Sequence, residues 1–410
     1  MNINLKRLIR PQVLILACVI IFVCSMIVFP SAVFEASKAG INAWWNIAFP
    51  ALLPFFIASE LLAGYGVIQF MGVLLEPVMR PLFNLPGAAS FVMAVGYTSG
   101  FPISASLSAR LRTENICTRY EAERLMCFTN NSSPLFMLIA VGVGMFNNPA
   151  LGVVISAAHY LANFLLGLAL RFYKREEARH IRSCSADRRI WRKALTEMKH
   201  ALRNEPRPFG KIMGDAVSSS INKLLIIGGF IIVFSVIIKI SGIIGITAVL
   251  DKVISVLMMP FGLSAQVIQS LSCGFFEITL GTKAAAEASG PLSQKLAAAG
   301  MILGWSGASV LAQVSAMISH TDLKMGLFVL CRIAHSLLAG ALTILLMSSD
   351  LIRHLVSQPV MTTLIPYTQL SWTANLLFYS RLCLYTVAAW LLLAIVVYVV
   401  RTFAVIRFRV

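Results

Sequence analysis

Glu277 lies inside apolar sequence, in Gly274-Phe275-Phe276-Glu277-Ile278-Thr279-Leu280-Gly281-Thr282, and Arg332 lies inside another apolar stretch, in Leu330-Cys331-Arg332-Ile333-Ala334-His335. Ionisable groups in such surroundings are expensive and mark a function or a partner. Two readings stand for this pair. It is either a structural ion pair, or Glu277 carries a coupling proton or sodium ion while Arg332 meets an anionic substrate. His159 occupies the position equivalent to Arg332 in an earlier, similar stretch. Glu60, Lys239 and Arg381 sit nearer the ends of apolar runs and read as interfacial, and Trp44, Trp45, Trp372 and Tyr379 fit an aromatic belt at the membrane surface.

The segment around Glu277 is too rich in Gly and Thr for a plain spanning helix, and so is an earlier one, Gly96-Tyr97-Thr98-Ser99-Gly100-Phe101-Pro102-Ile103-Ser104. Backbone broken at membrane depth needs protein or cavity water as its hydrogen-bond partner, so both are candidate hairpins or unwound helices lining a site. The competing reading is close helix packing through small residues. Two further breaks precede apolar helices: Asn130-Asn131-Ser132-Ser133-Pro134 and Gly304-Trp305-Ser306-Gly307-Ala308-Ser309. Asn or Ser there caps a helix, and the exposed amides at the positive end of the dipole suit a carboxylate. Capping alone explains these turns equally well. The candidate substrate-binding residues are therefore Thr98, Ser99, Asn130, Asn131, Ser132, Ser133, Phe276, Glu277, Thr279, Trp305, Ser306, Gln313 and Arg332.

The elements that position these groups follow from composition. Of 410 residues, 58% are apolar and 12% charged, about half the charged share of an ordinary soluble domain. The chain reads as an all-α polytopic membrane protein with material for roughly eight to eleven spans at about 20 residues each. Apolar runs of 15 to 20 residues without alternation argue against a β-barrel. Apolar stretches fall at 13–29, 44–64, 67–83, 87–109, 132–147, 150–172, 221–240, 243–261, 265–290, 294–317, 324–347 and 383–400.

The two sets match in order. Pro81 falls on Pro260, Gly96-Tyr97 on Gly274-Phe275, and Leu165-Leu166-Gly167 on Leu338-Ala339-Gly340. The expected organisation is an N-terminal helix and connector (1–43), a first repeat (44–172), a basic loop (173–220), a second repeat (221–347) and a peripheral segment with a C-terminal helix (348–410). Twelve Lys or Arg against five acids between Tyr173 and Lys211 place that loop in the cytoplasm by the positive-inside rule. Both termini are then cytoplasmic and the repeats inverted, the architecture of secondary transporters.

The excess of 34 Lys and Arg over 17 Asp and Glu thus reads as membrane topology, not as a nucleic-acid patch. The eight cysteines form no Cys-x-x-Cys pair and read as free thiols. Neither a phosphate-binding loop, a His-Glu-x-x-His pair nor a Gly-x-Ser-x-Gly elbow occurs, so no catalytic residue, metal or cofactor is expected. An intramembrane enzyme would require Ser306 or Glu277 to converge with His335.

The order Phe49-Pro50-Ala51-Leu52-Leu53-Pro54-Phe55-Phe56, Gly96-Tyr97-Thr98-Ser99-Gly100-Phe101-Pro102, Glu121-Ala122-Glu123-Arg124-Leu125, Asn130-Asn131-Ser132-Ser133-Pro134 and Gly274-Phe275-Phe276-Glu277 resembles the sporulation integral membrane protein family YlbJ of endospore-forming bacteria. The resemblance implies two gate, or nucleoside-recognition, domains similar to parts of concentrative nucleoside transporters. It also implies a place in the mother-cell-derived outer forespore membrane and a role in dipicolinate movement and spore cortex formation. The expected function is a carrier or facilitator of a small organic anion such as dipicolinate, with the lipid bilayer, and other sporulation membrane proteins or further copies of the chain, as partners. The alternatives are an envelope assembly factor without transport activity, or a nucleoside-type carrier, for which Asn130, Asn131, Ser133 and Gln313 supply donors and acceptors.

Overall fold

The computed structural model describes residues 11–174, 190–350 and 352, all within one compact unit. Lys6, Arg7, Arg10, part of the basic loop with Cys184, and Trp372, Tyr379, Arg381, Cys383 and the expected helix at 383–400 lie outside the described residues.

The described chain is helical. Helix α1 (Pro11–Val28) meets α2 (Pro30–Ala43) at a bend of 103°. Pro30 supplies no N–H and begins a new helix where sequence reading expected only a connector. A wide turn, Trp44–Ala48, leads into α3 (Phe49–Gly64), followed by α4 (Val67–Phe83), α5 (Ala89–Ser99), α6 (Ile103–Thr113), α7 (Arg119–Thr129), α8 (Phe136–Met145, wound with π spacing) and α9 (Pro149–Leu170). Helix α10 (Ile190–Arg203) covers α4. The second half contains α11 (Phe209–Ile243), α12 (Ile246–Met258), α13 (Ala265–Phe276), α14 (Ile278–Glu287), α15 (Leu292–Trp305), α16 (Gly307–Ile318) and α17 (Met325–Ser348). Element order is therefore the same from α3 to α9 as from α11 to α17.

Four segments among the described residues are long and apolar enough to cross a bilayer, namely α9, α11, α15 with α16, and α17; the bent pair α1–α2 makes a fifth. This is fewer than the apolar stretches suggest, because several stretches are split. Helices α5 to α8, α13 and α14 have ten to twelve residues each, about 15–18 Å, short of a hydrocarbon core about 30 Å thick. The stretches at 87–109 and 265–290 fold back on themselves as hairpins. Gly274 and Gly281 flank the second tip so closely that a Cβ on Gly281 would lie 2.3 Å from the Gly274 Cα. In the first hairpin a Cβ on Gly96 would meet the Ser104 Cβ at 3.0 Å. The sequence motifs around these tips are thus the backbone-to-backbone contacts that let a chain reverse inside the membrane.

Each hairpin tip rests on the break of the next helix pair. Gly100, at φ +81°, abuts the Ser133 amide, where a Cβ would come within 2.8 Å; Gly307, at φ +77°, abuts Phe276 and Glu277 in the same way. The halves also meet directly, α17 packing on α7 and α9, and α16 on α6. Outside the spans, Arg112 at the end of α6 forms a two-pronged ion pair with Asp322 before α17, at 2.9 and 3.0 Å. Arg112 holds the Asp322 carboxyl below its usual range. That contribution is present above the unfolded carboxylate pKa of about 3.9 and fades as pH falls through the lower folded value. Both groups are solvated, so it is about 1 kcal/mol at most.

Replacing Gly281 by valine drives three carbons into the Gly274 backbone. Forced overpacking of a core costs about 1–3 kcal/mol, occasionally more, and here the colliding atoms are backbone. We expect Gly281→Val to lower the unfolding temperature in detergent clearly, with Gly214→Ala, which meets nothing within 4 Å, close to wild type in a size-exclusion and thermal-shift comparison.

Candidate functional site

Three of the four breaks meet at one small, partly open cavity of about 60 Å³, joined by the helix that follows the fourth. Ser99, Gly100 and Phe101 come from the first hairpin tip, Ser132 and Ser133 from the α7–α8 break, Glu277, Ile278 and Thr279 from the second tip, and Val310 and Gln313 from α16. Ile227 and Ile231 of α11 close the remaining side. The volume admits a few waters or a small ion and is well below the roughly 300 Å³ at which organic ligand sites begin.

Glu277 interrupts the second hairpin in extended conformation, φ −146° and ψ 131°, and caps α14. Its Oε2 accepts from the Leu280 amide at 2.7 Å, and the Ile278 and Thr279 amides and the Thr279 hydroxyl also bear on the carboxylate. The buried negative charge therefore sits on the positive end of a half-length helix. Among carboxylates Asp is the usual N-cap, and the longer Glu277 takes that place here while almost fully buried.

Arg332 does the complementary work. It is fully buried; its Nη1 donates to the Asn130 carbonyl at 3.0 Å and its Nη2 to the Cys127 carbonyl and, at 3.4 Å, to Asn163 Oδ1. Cys127 and Asn130 are at the C-terminal end of α7, where carbonyls lack intrahelical partners and the dipole is negative. The guanidinium also lies 5.3 Å from the Phe328 ring centroid. No ion pair within 4 Å joins Glu277 to Arg332 among the described residues. The structural ion-pair reading is thus corrected: each charge answers a helix end in a different half.

The other candidates divide into four groups. Ser99, Ser132, Ser133, Thr279 and Gln313 line the cavity with Glu277; Ser133 also accepts from the Phe136 amide at 3.2 Å, and Gln313 donates to Ser309 at 3.3 Å. Asn130 and Asn131 are buried behind the break, Ser104 donating to the Thr129 carbonyl and to Asn130 Oδ1 at 2.9 and 3.2 Å. Ser306 is buried at φ +71°, and its hydroxyl bonds the Trp305 carbonyl, so it turns the chain between α15 and α16. The remaining three point elsewhere. Thr98 is exposed and donates back to its own helix at Ala94 and Val95. Phe276 packs edge-on to Phe275, whose ring stacks on Trp305 at 5.5 Å and 12° while Trp305 Nε1 donates to the Phe275 carbonyl. These aromatics brace the hairpin instead of lining the cavity.

Sequence reading missed the network on α9. Asn163 Nδ2 donates to the Phe128 carbonyl and to Asn131 Oδ1, and Tyr160 reaches the Tyr97 and Ser132 carbonyls at 3.1 and 3.0 Å. His159 Nε2 accepts from the Ser132 amide at 3.4 Å. The signal was available as His159, Tyr160 and Asn163 within one helical turn of an otherwise apolar stretch. His159 also meets His335: each is the eleventh residue of its helix, their rings are 4.4 Å apart, and His335 Nε2 bonds the His159 carbonyl at 2.9 Å. Trp44 donates to the Leu224 carbonyl at 3.0 Å and so anchors α11, whereas Trp45 is exposed as a belt residue should be. Glu60 pairs with Lys223. Asn130 Nδ2, Ser132 Oγ, His159 Nδ1, Arg332 Nε and His335 Nδ1 are buried without a hydrogen-bond partner among the described residues, leaving hydrogen-bonding capacity around the breaks.

Paired hairpins and broken spans around a small cavity beside Glu277 belong to a multi-pass membrane protein with a gate domain: the family profile described as "Gate: Nucleoside recognition" matches residues 46–149, from the turn before α3 to the start of α9. Over 348 residues, 84% of this chain and 84% of the relative, the sequence is 44% identical to the sporulation integral membrane protein YlbJ of Bacillus subtilis (strain 168). The chain belongs to the family of that sporulation protein. No solved structure matches it.

Arg332 is then a cap more than a ligand, which changes what its removal does. Arg332→Ala leaves the α7 carbonyls buried without a donor, a loss on the order of 3 kcal/mol, and we expect reduced folded protein in membrane extracts. Arg332→Lys keeps the charge but not the forked geometry and should fall between. Glu277→Gln retains an acceptor for the Leu280 amide and should fold close to normally by thermal shift.

Proposed function

We propose that the protein carries or facilitates movement of a small organic anion, dipicolinate in the first place, from the mother cell toward the forespore, and thereby supports cortex formation. The observation that carries this reading is the meeting of three helix breaks at one small cavity beside Glu277. Static packing needs no broken backbone at membrane depth, whereas a site opened from alternate sides does. The family adds sporulation as the setting, with the outer forespore membrane as the proposed location.

With a cavity of about 60 Å³, the described conformation is the closed one, and cargo enters when the hairpin tips separate. Glu277 then acts as the switch. Ionised, it occupies the amides at the start of α14 and repels an anion. Protonated, it loses its charge and holds those amides more weakly, so a cargo carboxylate can compete for them. Proton and anion thus travel together, and no other cofactor is invoked. The shared element order, and the contact of the eleventh residues of α9 and α17, support inverted repeats about an axis between His159 and His335. Both termini are then cytoplasmic, with residues 44–172 and 221–347 as two gate copies.

Only Glu277 among the cavity-lining side chains is charged. That neutrality supports a nucleoside-type cargo as the second reading. Uptake of labelled dipicolinate by liposomes containing the purified protein separates the two. We expect saturable uptake, stimulated by an inward proton gradient and unaffected by excess uridine; in Glu277→Gln it should lose the gradient response. Inhibition by uridine indicates the nucleoside reading, and no uptake of either compound by folded protein indicates an assembly role.

A further inference from the structure

Helix α10 lies in the connection between α9 and α11, two segments long and apolar enough to span, so it sits on one membrane face. Exposed aromatic rings flank it: Phe172 follows the end of α9, and Phe209 begins α11 ahead of that helix's apolar stretch at 221–240.

Three faces run along α10. Ala194, fully buried, with Ile190, Met198 and Ala201 partly buried, forms the stripe that packs on α4, aided by Trp191 against Phe70 at 5.9 Å. Glu197, His200 and Asn204 border a polar, water-facing cavity with Glu60 and Arg207. Between these two faces the helix is uncovered. At about 100° per residue, Trp191, Leu202 and Leu195 form an apolar row 59%, 37% and 42% exposed, and Lys199, Arg192 and Arg203 form a basic row immediately beside it. None of these three cations takes part in an ion pair within 4 Å among the described residues.

The order buried stripe, apolar row, basic row, polar face is that of an interfacial helix. Its apolar row enters the acyl boundary and its cations stand at the headgroup level. A zwitterionic headgroup offers three adjacent cations no net charge, whereas an anionic one does. We propose that α10 is an anionic-phospholipid docking surface, with Trp191, Leu195 and Leu202 inserted and Arg192, Lys199 and Arg203 holding lipid phosphates. Because α10 also packs on α4, which leads into the first hairpin, lipid composition is placed one element away from the gate. The inference is independent of the cargo reading.

The full chain, reconstituted in bilayers carrying brominated phosphatidylglycerol or brominated phosphatidylcholine at equal mole fraction, provides the test through tryptophan quenching. The Trp191 share is the difference between wild type and Trp191→Phe. We expect that share to be quenched about twofold or more by the anionic lipid relative to the zwitterionic one, with the preference falling as salt rises. The variant with Arg192→Gln, Lys199→Gln and Arg203→Gln, all exposed positions, should show Trp191 quenched equally by both. Equal quenching in wild type, a preference that survives in the triple variant, or a Trp191 share that neither lipid quenches would overturn the proposal.

Discussion

A helix that stops inside a bilayer leaves amides or carbonyls with no water to meet them, and the rest of this structure depends on how those ends are satisfied. At the end of α7 the carbonyls are met by the Arg332 guanidinium, and at the start of α14 the amides are met by the Glu277 carboxylate. Each full charge faces a helix end of opposite sign, so each is stabilised without a direct partner of its own kind. The result is a pair of charges that can change partner. A cap that titrates can release what it holds, and a cap donated by another helix can be pulled away by moving that helix.

That second property couples the halves. Arg332 and His335 belong to α17, in the second half, yet bond the backbone of α7 and α9 in the first. Movement of α17 therefore cannot leave the Asn130–Ser133 break undisturbed. The hairpin tips face the same cavity from the two halves, with Gly100 against Ser133 and Gly307 against Glu277. Close backbone contacts of this kind have few intermediate arrangements, which favours discrete open and closed states over gradual deformation.

How much of this was legible in the sequence follows from what each signal reports. The Gly-rich and Asn-Ser breaks were readable because chain reversal in lipid demands residues that crowd closely or bond their own backbone, and these stand out in apolar sequence. Glu277 and Arg332 stood out for the same reason. Their assignment as partners did not follow, because spacing reveals that a buried charge needs an answer but not whether a side chain or a helix end gives it. Thr98, Phe276 and Trp305 fell outside the cavity since a one-residue step on a helix turns a side chain by about 100°, and a motif read as a string does not carry that rotation. The α9 network was visible only as three polar residues in one turn. Its targets, the carbonyls of Tyr97, Phe128 and Ser132, are backbone atoms that no residue type announces. Hydropathy alone also does not distinguish a hairpin from a crossing, so the stretches at 87–109 and 265–290 read like spans in the sequence.

The central claim is that the broken helices form a gate that opens, not a fixed plug. Its most direct measurement places a cysteine at Ser99, which is fully buried in the closed form, in a chain whose native cysteines are replaced, and applies a membrane-impermeant thiol reagent from each face of sealed vesicles. The account predicts slow labelling from both faces, changed by dipicolinate and by pH. No labelling from either face, while a cysteine at exposed Thr196 reacts fully from its own side, would contradict it.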